Sequence, residues 1–281
     1  MIRKLLLASV AAGGLAAALP ASAADLAVRP APAPAFVAPV VAPVPVFTWT
    51  GWYIGGNAGG KWGKFSGGTT AGPFDNVVPN GDFFAFDTGY GGGAFLGGGQ
   101  IGFNWQTGPW VFGVEGDFEG TNVKHDITLG AATGGGAFVA GDTFRFKNDW
   151  QASVRARGGF AFDRWLVYAT GGVAWAGVKA DAFISPGFVG NVAVPGAFAS
   201  DRHTLVGGTV GGGVEFAVLD NVTLGVEYRY SDFGSETFNL GIVPLTAGGG
   251  VGPGVTSDVK LQTHEVTARL NFKFGSLFGW P

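Results

Sequence analysis

Residues 261–274 read LQTHEVTARLNFKF and alternate without a break. Val266, Ala268, Leu270, Phe272 and Phe274 fall on one side of an extended chain, and Glu265, Thr267, Arg269, Asn271 and Lys273 on the other. Successive side chains of a strand point to opposite faces, so this is a ribbon with one apolar and one charged face. Seven earlier stretches repeat the pattern, at 51–62, 95–106, 109–121, 146–162, 165–178, 203–218 and 222–231. In the third, Trp110, Phe112, Val114 and Phe118 oppose Glu115, Asp117 and Glu119; in the fourth, Trp150, Ala152, Val154 and Ala156 oppose Arg155 and Arg157. The expected fold class is all-β: an eight-stranded antiparallel transmembrane β-barrel. Its apolar faces look out into lipid and its charged faces look inward, and 261–274 closes against 51–62, which removes the sheet's edges.

The connections alternate in length. Those at 107–108, 163–164 and 219–221 are tight turns; those at 63–94, 122–145, 179–202 and 232–260 are long. Short periplasmic turns and four long extracellular loops are the outer-membrane arrangement. Tryptophan spacing agrees. Trp52 and Trp62 share a face ten residues apart, as do Trp165 and Trp175. Ten steps of roughly 3.3 Å, tilted by about 40°, rise roughly 25 Å, the height of a lipid-facing band. Trp52, Trp62, Trp105, Trp110, Trp150, Trp165, Trp175, Tyr230 and Phe274 are therefore the expected aromatic girdles.

Composition adds domain limits. Residues 1–23 have a basic start at Arg3 and Lys4, an apolar run, and the small-residue end Ala21-Ser22-Ala23, which is a secretory signal cut between Ala23 and Ala24. Residues 24–48 are proline-rich and form an extended periplasmic tether. The barrel occupies 49–274, and 275–281 is a short C-terminal extension. Losing Arg3 and Lys4 leaves a net charge of −5, which is no footprint for nucleic acid. With no cysteine, stability must come from hydrogen bonding and packing.

Candidate chemistry is sparse. Residues 97–102 match G-x-G-x-x-G, but a dinucleotide site needs a helix next, and here the strand runs on through Phe103 and Trp105. Each histidine neighbours an acid (His125-Asp126, Asp201 near His203, His264-Glu265), yet no positioned nucleophile or metal cluster accompanies them, so no catalytic, cofactor or metal site is assigned. The inward charges are the informative group: Glu115, Asp117, Arg155, Arg157, Glu227, Arg229, Glu265 and Arg269. An eight-stranded barrel is just wide enough for its own side chains, so these should form a lumen ion-pair network. Counting from the short turns pairs Glu115 with Arg157, Asp117 with Arg155, Glu227 with Arg269 and Arg229 with Glu265.

At this point the chain resembles the small alphaproteobacterial outer-membrane β-barrel proteins, the porin-like or outer-membrane immunogenic proteins. The segments that carry the likeness are ASAADL (21–26), WTGWYIGGNAGGKWG (49–63), GGGQIGFNWQ (97–106), VFGVEGDFEGT (111–121) and GVEYRYSDFG (225–234). The resemblance implies an OmpA/OmpX-like barrel inserted by the barrel-assembly machinery into a Gram-negative outer membrane. It implies as partners the membrane's lipid and lipopolysaccharide, and peptidoglycan through the tether. The 275–281 tail departs from chains that end on the last aromatic. The expected function is a structural, envelope-integrity role with exposed loops and no catalysis; the alternatives are a narrow or gated channel, or an adhesin.

Two predictions follow from the sequence. Tags placed at 71–76, 131–136, 186–195 and 246–254 should be labelled on intact cells, and tags at Asp163 or Asp220 should not; labelling at the short turns would overturn the topology. Muramidase digestion of purified sacculi should release the protein with a sugar-peptide adduct on Ala24, whereas complete extraction by detergent would end the wall-attachment idea.

Overall fold

The structure, a computed structural model, describes residues 47–72, 81–91, 93–133, 137–189, 192–194, 196–242 and 254–274. The expected signal with its Ala23/Ala24 cleavage, the tether up to 46 and the extension 275–281 lie outside these residues, as do 73–80, 92, 134–136, 190–191, 195 and 243–253.

The strands are β1 (Gly51–Ala71), β2 (Asp82–Asp87), β3 (Ala94–Thr107), β4 (Trp110–Thr128), β5 (Thr143–Phe162), β6 (Trp165–Ile184), β7 (Gly187–Val189), β8 (Val192–Val194), β9 (Ala197–Leu219), β10 (Val222–Ile242) and β11 (Gly254–Phe274). Eight of them, β1, β3, β4, β5, β6, β9, β10 and β11, close into an antiparallel ring. The ring is completed by β1 and β11, which run side by side from Trp52↔Phe274 to Ala71↔Val255. All eight expected strands and the closing pair are present. The tight turns fall where expected; Gly108 (φ 57°) and Asp163 (φ 53°) supply the left-handed residues in two of them.

The strand lengths differ from expectation. A tilted membrane strand needs about 9–11 residues; β1, β10 and β11 have 21 each and β9 has 23. All the excess lies at the long-connection end. The segments expected as loops at 63–94, 122–145, 179–202 and 232–260 therefore each begin and end in ladder. β2 folds back on β1 from Ser66↔Asp87 to Ala71↔Asp82, and β7 and β8 make a small separate hairpin.

In this upper part the ring opens along two seams. β10 leaves β9 after Phe233↔Gly207, and β4 leaves β3 after Thr121↔Leu96. What remains are two four-stranded sheets, β2-β1-β11-β10 and β4-β5-β6-β9. The seams are bridged by other contacts: the Asn239 N–H donates to Asp201 (2.7 Å), the Ala137 N–H to Asp82 (2.9 Å), and His125 Nε2 meets the Gly63 carbonyl at 3.0 Å. Between the sheets lies an apolar core that includes Phe65, Phe138, Phe144, Phe146, Phe233 and Phe238. Phe86 stacks on Phe146 at 4.8 Å between centroids.

The two faces of each strand therefore exchange character partway along. On β11 the buried inward residues are Glu265, Thr267, Arg269 and Asn271 in the lower half and Leu261, Val259 and Val255 in the upper half. Outward, Val266, Leu270 and Phe272 give way above His264 to Gln262, Lys260 and Asp258. The outer face is apolar where lipid must cover it, and the inner face is apolar where water surrounds the barrel.

Candidate functional site

The candidate site is the lumen, and it is filled in three layers. The lowest layer is apolar. Just before β1 the chain turns into the barrel mouth, and Trp49 is 1% exposed, packed with Phe47, Val111, Leu166 and Ala217. The Trp49 N–H donates to Gln106 Oε1 at 2.7 Å, which fixes this stopper to the end of β3. No repeated pattern covers residues 47–49, so nothing in the strand alternation marks Trp49.

The middle layer is the charged network. All eight predicted residues point inward and are buried, each at 8% exposure or less. Arg155 on β5 reaches Glu115 (2.6 Å) and Asp117 (3.1 Å) on β4 and Glu227 (2.7 Å) on β10. Arg229 on β10 bonds Glu265 through Nε (2.7 Å) and also Asp117 (3.1 Å) and Glu119. Arg269 on β11 is held between Glu115 and Glu227. Three of the expected pairs are thus present: Asp117–Arg155, Glu227–Arg269 and Arg229–Glu265.

The fourth, Glu115–Arg157, is present only as a longer contact. The β4–β5 register sets Glu115 opposite Arg155 and sets Arg157 opposite Gly113. Arg157 keeps Glu115 at 3.9 Å and makes its shorter bond, 2.5 Å, to Glu215 on β9. Its guanidinium sits on the Tyr168 ring, 3.7 Å from the centroid, and donates to the Tyr53 hydroxyl at 3.2 Å.

The network is also larger than the sequence reading made it. Lys61 pairs with Glu265 (3.1 Å) and donates to Gln151 (2.6 Å). Tyr53 and Tyr168 donate to Glu115 (2.6 Å) and Glu227 (2.8 Å). The two tyrosines lie over Gly102 and Gly213 on neighbouring strands, where a Cβ would strike their rings. Lys61, Glu119 and Glu215 were findable, since each falls on the inward face by the same alternation. Among the described residues, six buried carboxylates meet five cations. A buried charge is tolerable when paired and hydrogen-bonded, and here each one is. The upper layer is the phenylalanine core between the two sheets.

The other candidates separate. Residues 97–102 lie inside β3 and pair with β1 and β4, with no helix following. His264 faces out and bonds the Tyr228 hydroxyl (2.6 Å), while its neighbour Glu265 faces the lumen. Asp126 is taken outside the barrel by Arg145 (2.7 Å), away from His125. His203 meets Asp201 (3.1 Å) beside Phe238 at a seam. Trp105, Trp110, Trp165 and Phe274 ring the tight-turn end; Trp62, Trp150, Trp175 and Tyr230 ring the level at which the faces exchange.

The sequence pattern of the family described as "Outer membrane protein beta-barrel domain" matches residues 9–274. The 31 kDa outer-membrane immunogenic protein of Brucella melitensis is 38% identical over 245 residues, covering 84% of this chain and 88% of that protein. The 22 kDa outer membrane protein of Rhizobium leguminosarum is 31% identical over 200 residues, covering 71% and 72%. Among solved structures, the outer membrane protease OmpT of Escherichia coli covers 83% of this chain and 99% of its own, at 7% identity and a TM-score of 0.46, a level that carries no argument about function.

The network generates a direct test. Removing one partner of a buried ion pair costs about 3–5 kcal/mol, whereas removing both can be nearly neutral. Arg157→Ala should lower the urea midpoint of the refolded barrel. Adding Glu215→Ala should recover most of the loss, and adding Glu115→Ala should not, because Glu115 also serves Arg155 and Arg269. The shift between boiled and unboiled bands in SDS gels reads the same folding. A double variant with Glu215→Ala that is as weak as the sum of the singles would show that the two do not pair.

Proposed function

The chain belongs to the outer membrane protein β-barrel domain family and resides in the outer membrane of a Gram-negative bacterium, and from that premise we propose that it works as a structural envelope barrel. It catalyses no reaction and passes no bulk solute; its upper sheets stand outside the membrane as a contact surface. The observation that carries this reading is the three-layered lumen. A solute entering from the turn side meets Trp49, then arginines each tied to two or more partners, then a phenylalanine core. The barrel-assembly machinery is the proposed route of insertion, and outer-membrane lipid the proposed continuous partner. The strand excess supports the contact surface, since roughly ten residues beyond the membrane band raise the sheets by about 25 Å.

Planar-bilayer recordings on monodisperse monomer should show no reproducible steps of general-porin size. Stable large steps would replace the structural reading with the channel reading.

A further inference from the structure

On the outer surface of β4, β5, β6 and β9 four cations stand in one line. The registers place Lys124 opposite Lys147, Lys147 opposite Lys179, and Lys179 opposite Arg202. Like charges directly opposite one another on a sheet are destabilising, so this row opposes the fold that carries it. Among the described residues two acids at that level answer it: Asp149 to Lys147 (2.5 Å) and Arg202 (3.4 Å), and Asp181 to Lys179 (2.8 Å). Lys124 is exposed and has no ion pair among the described residues. One step higher, Asp126 and Arg145 neutralise each other. At the same level on the other side of the barrel the charges pair off, Lys64 with Asp87 (2.7 Å) and Lys260 with Asp232 (3.0 Å). The surplus is therefore local to one side.

Its height is informative. Lys179 is four residues above Trp175 on β6, about 10 Å along the barrel axis. The headgroup layer outside the hydrocarbon is about 5–8 Å deep, and lysine stems bend toward charge at such a boundary. Directly below the row the lipid face is hollowed. Small residues on the outward faces, Gly99, Gly116 and Ala152, leave a groove of about 520 Å³ walled by Ile101, Phe118, Val154 and Trp175. The groove runs from Ile54 on β1 across β3, β4 and β5 to Trp175 on β6, so it shares β4, β5 and β6 with the row; a cationic row above an apolar groove matches an amphiphile with an anionic head and an acyl tail.

The geometry points to a bound lipid: Lys124, Lys147, Lys179 and Arg202 hold the phosphates of a phosphorylated saccharolipid headgroup in the outer leaflet, with an acyl chain in the groove below. The row spans three strand spacings, about 15 Å, enough to engage two phosphates of one headgroup. Lys147 and Lys179 are only partly exposed, so lipid phosphate is a better ligand for them than a bulky protein partner. The inference rests on the topology and not on the closed lumen, so a conducting barrel would leave it standing.

The test uses refolded mature protein in zwitterionic micelles, titrated with bisphosphorylated lipid A, dephosphorylated lipid A or inorganic phosphate, with bound species read by native mass spectrometry. Lys124→Gln/Lys147→Gln/Lys179→Gln should weaken binding of the bisphosphorylated lipid at least tenfold, and Lys64→Gln/Lys260→Gln should change it less than twofold. The triple glutamine variant relieves the lysine–lysine repulsion but leaves Asp149 and Asp181 without their lysines, so its urea midpoint in lipid-free micelles is the baseline for its response to lipid. Added bisphosphorylated lipid should raise the midpoint of the wild-type protein and not that of the triple variant. Equal binding by the triple variant, equal loss in the Lys64/Lys260 control, equal affinity for the dephosphorylated lipid, or displacement of the lipid by millimolar inorganic phosphate would each overturn the proposal. Should the triple variant fail to fold, Lys124→Arg/Lys147→Arg/Lys179→Arg must bind as the wild type does, and its loss of binding would count equally against a phosphate site.

Discussion

A peptide group inside hydrocarbon has no water to bond with, and leaving it unpaired costs several kcal/mol. The rest of this structure depends on that constraint. It forces β1 to meet β11, because an open edge at lipid depth would strand a whole row of amides and carbonyls. Closure then makes the outer face apolar and leaves the lumen as the only place for the polar half of each strand. Eight strands make a narrow lumen, so the polar side chains must touch. The charges neutralise one another across the barrel because there is no room for them to do anything else.

Above the membrane water returns and the constraint lapses. Ladder hydrogen bonds between β9 and β10 stop at Phe233↔Gly207, and beyond them the Asp201 carboxylate accepts from the Asn239 N–H. Without the requirement for closure the strands relax into two sheets, and the stabilising contribution passes from ion pairs to aromatic packing. At the other mouth, Phe47 and Trp49 just before β1 do the same. The network is thus sealed at both ends by apolar material, which is what keeps its pairs strong.

The period of two made the strands and the inward charges legible, and Trp52/Trp62 and Trp165/Trp175 gave the membrane band. Strand ends were not legible for a physical reason. Beyond His264, Tyr230 and Trp175 the outward residues become polar and the inward ones apolar, so the pattern being followed stops although the ladder continues. Pairs within one hairpin were readable: Arg229–Glu265 and Arg269–Glu227 both join β10 to β11. Arg157 was only half readable: it stays 3.9 Å from Glu115 on β4, but its short bond crosses to Glu215 on β9. Where an arginine lands in a tilted barrel depends on shear and on the tyrosines beside it, and neither is a property of its own strand. Trp49 was invisible to any periodic argument.

The exchange of faces along each strand has a consequence for register. Alternation by itself detects a slip of one residue, since every side chain would then change sides. It is blind to even-numbered slips, which keep the sides and only move the strand along the barrel axis. In β11 a slip of four residues would carry Leu261 to the level of Glu265 and Lys260 to the level of His264. An aliphatic side chain would then interrupt the lumen charges while a lysine was drawn down to the rim of the lipid band. The sequence thus encodes two checks on each strand, one for side and one for depth. An eight-stranded ring of near-identical Gly-, Ala- and Val-rich ribbons needs both to settle on one arrangement.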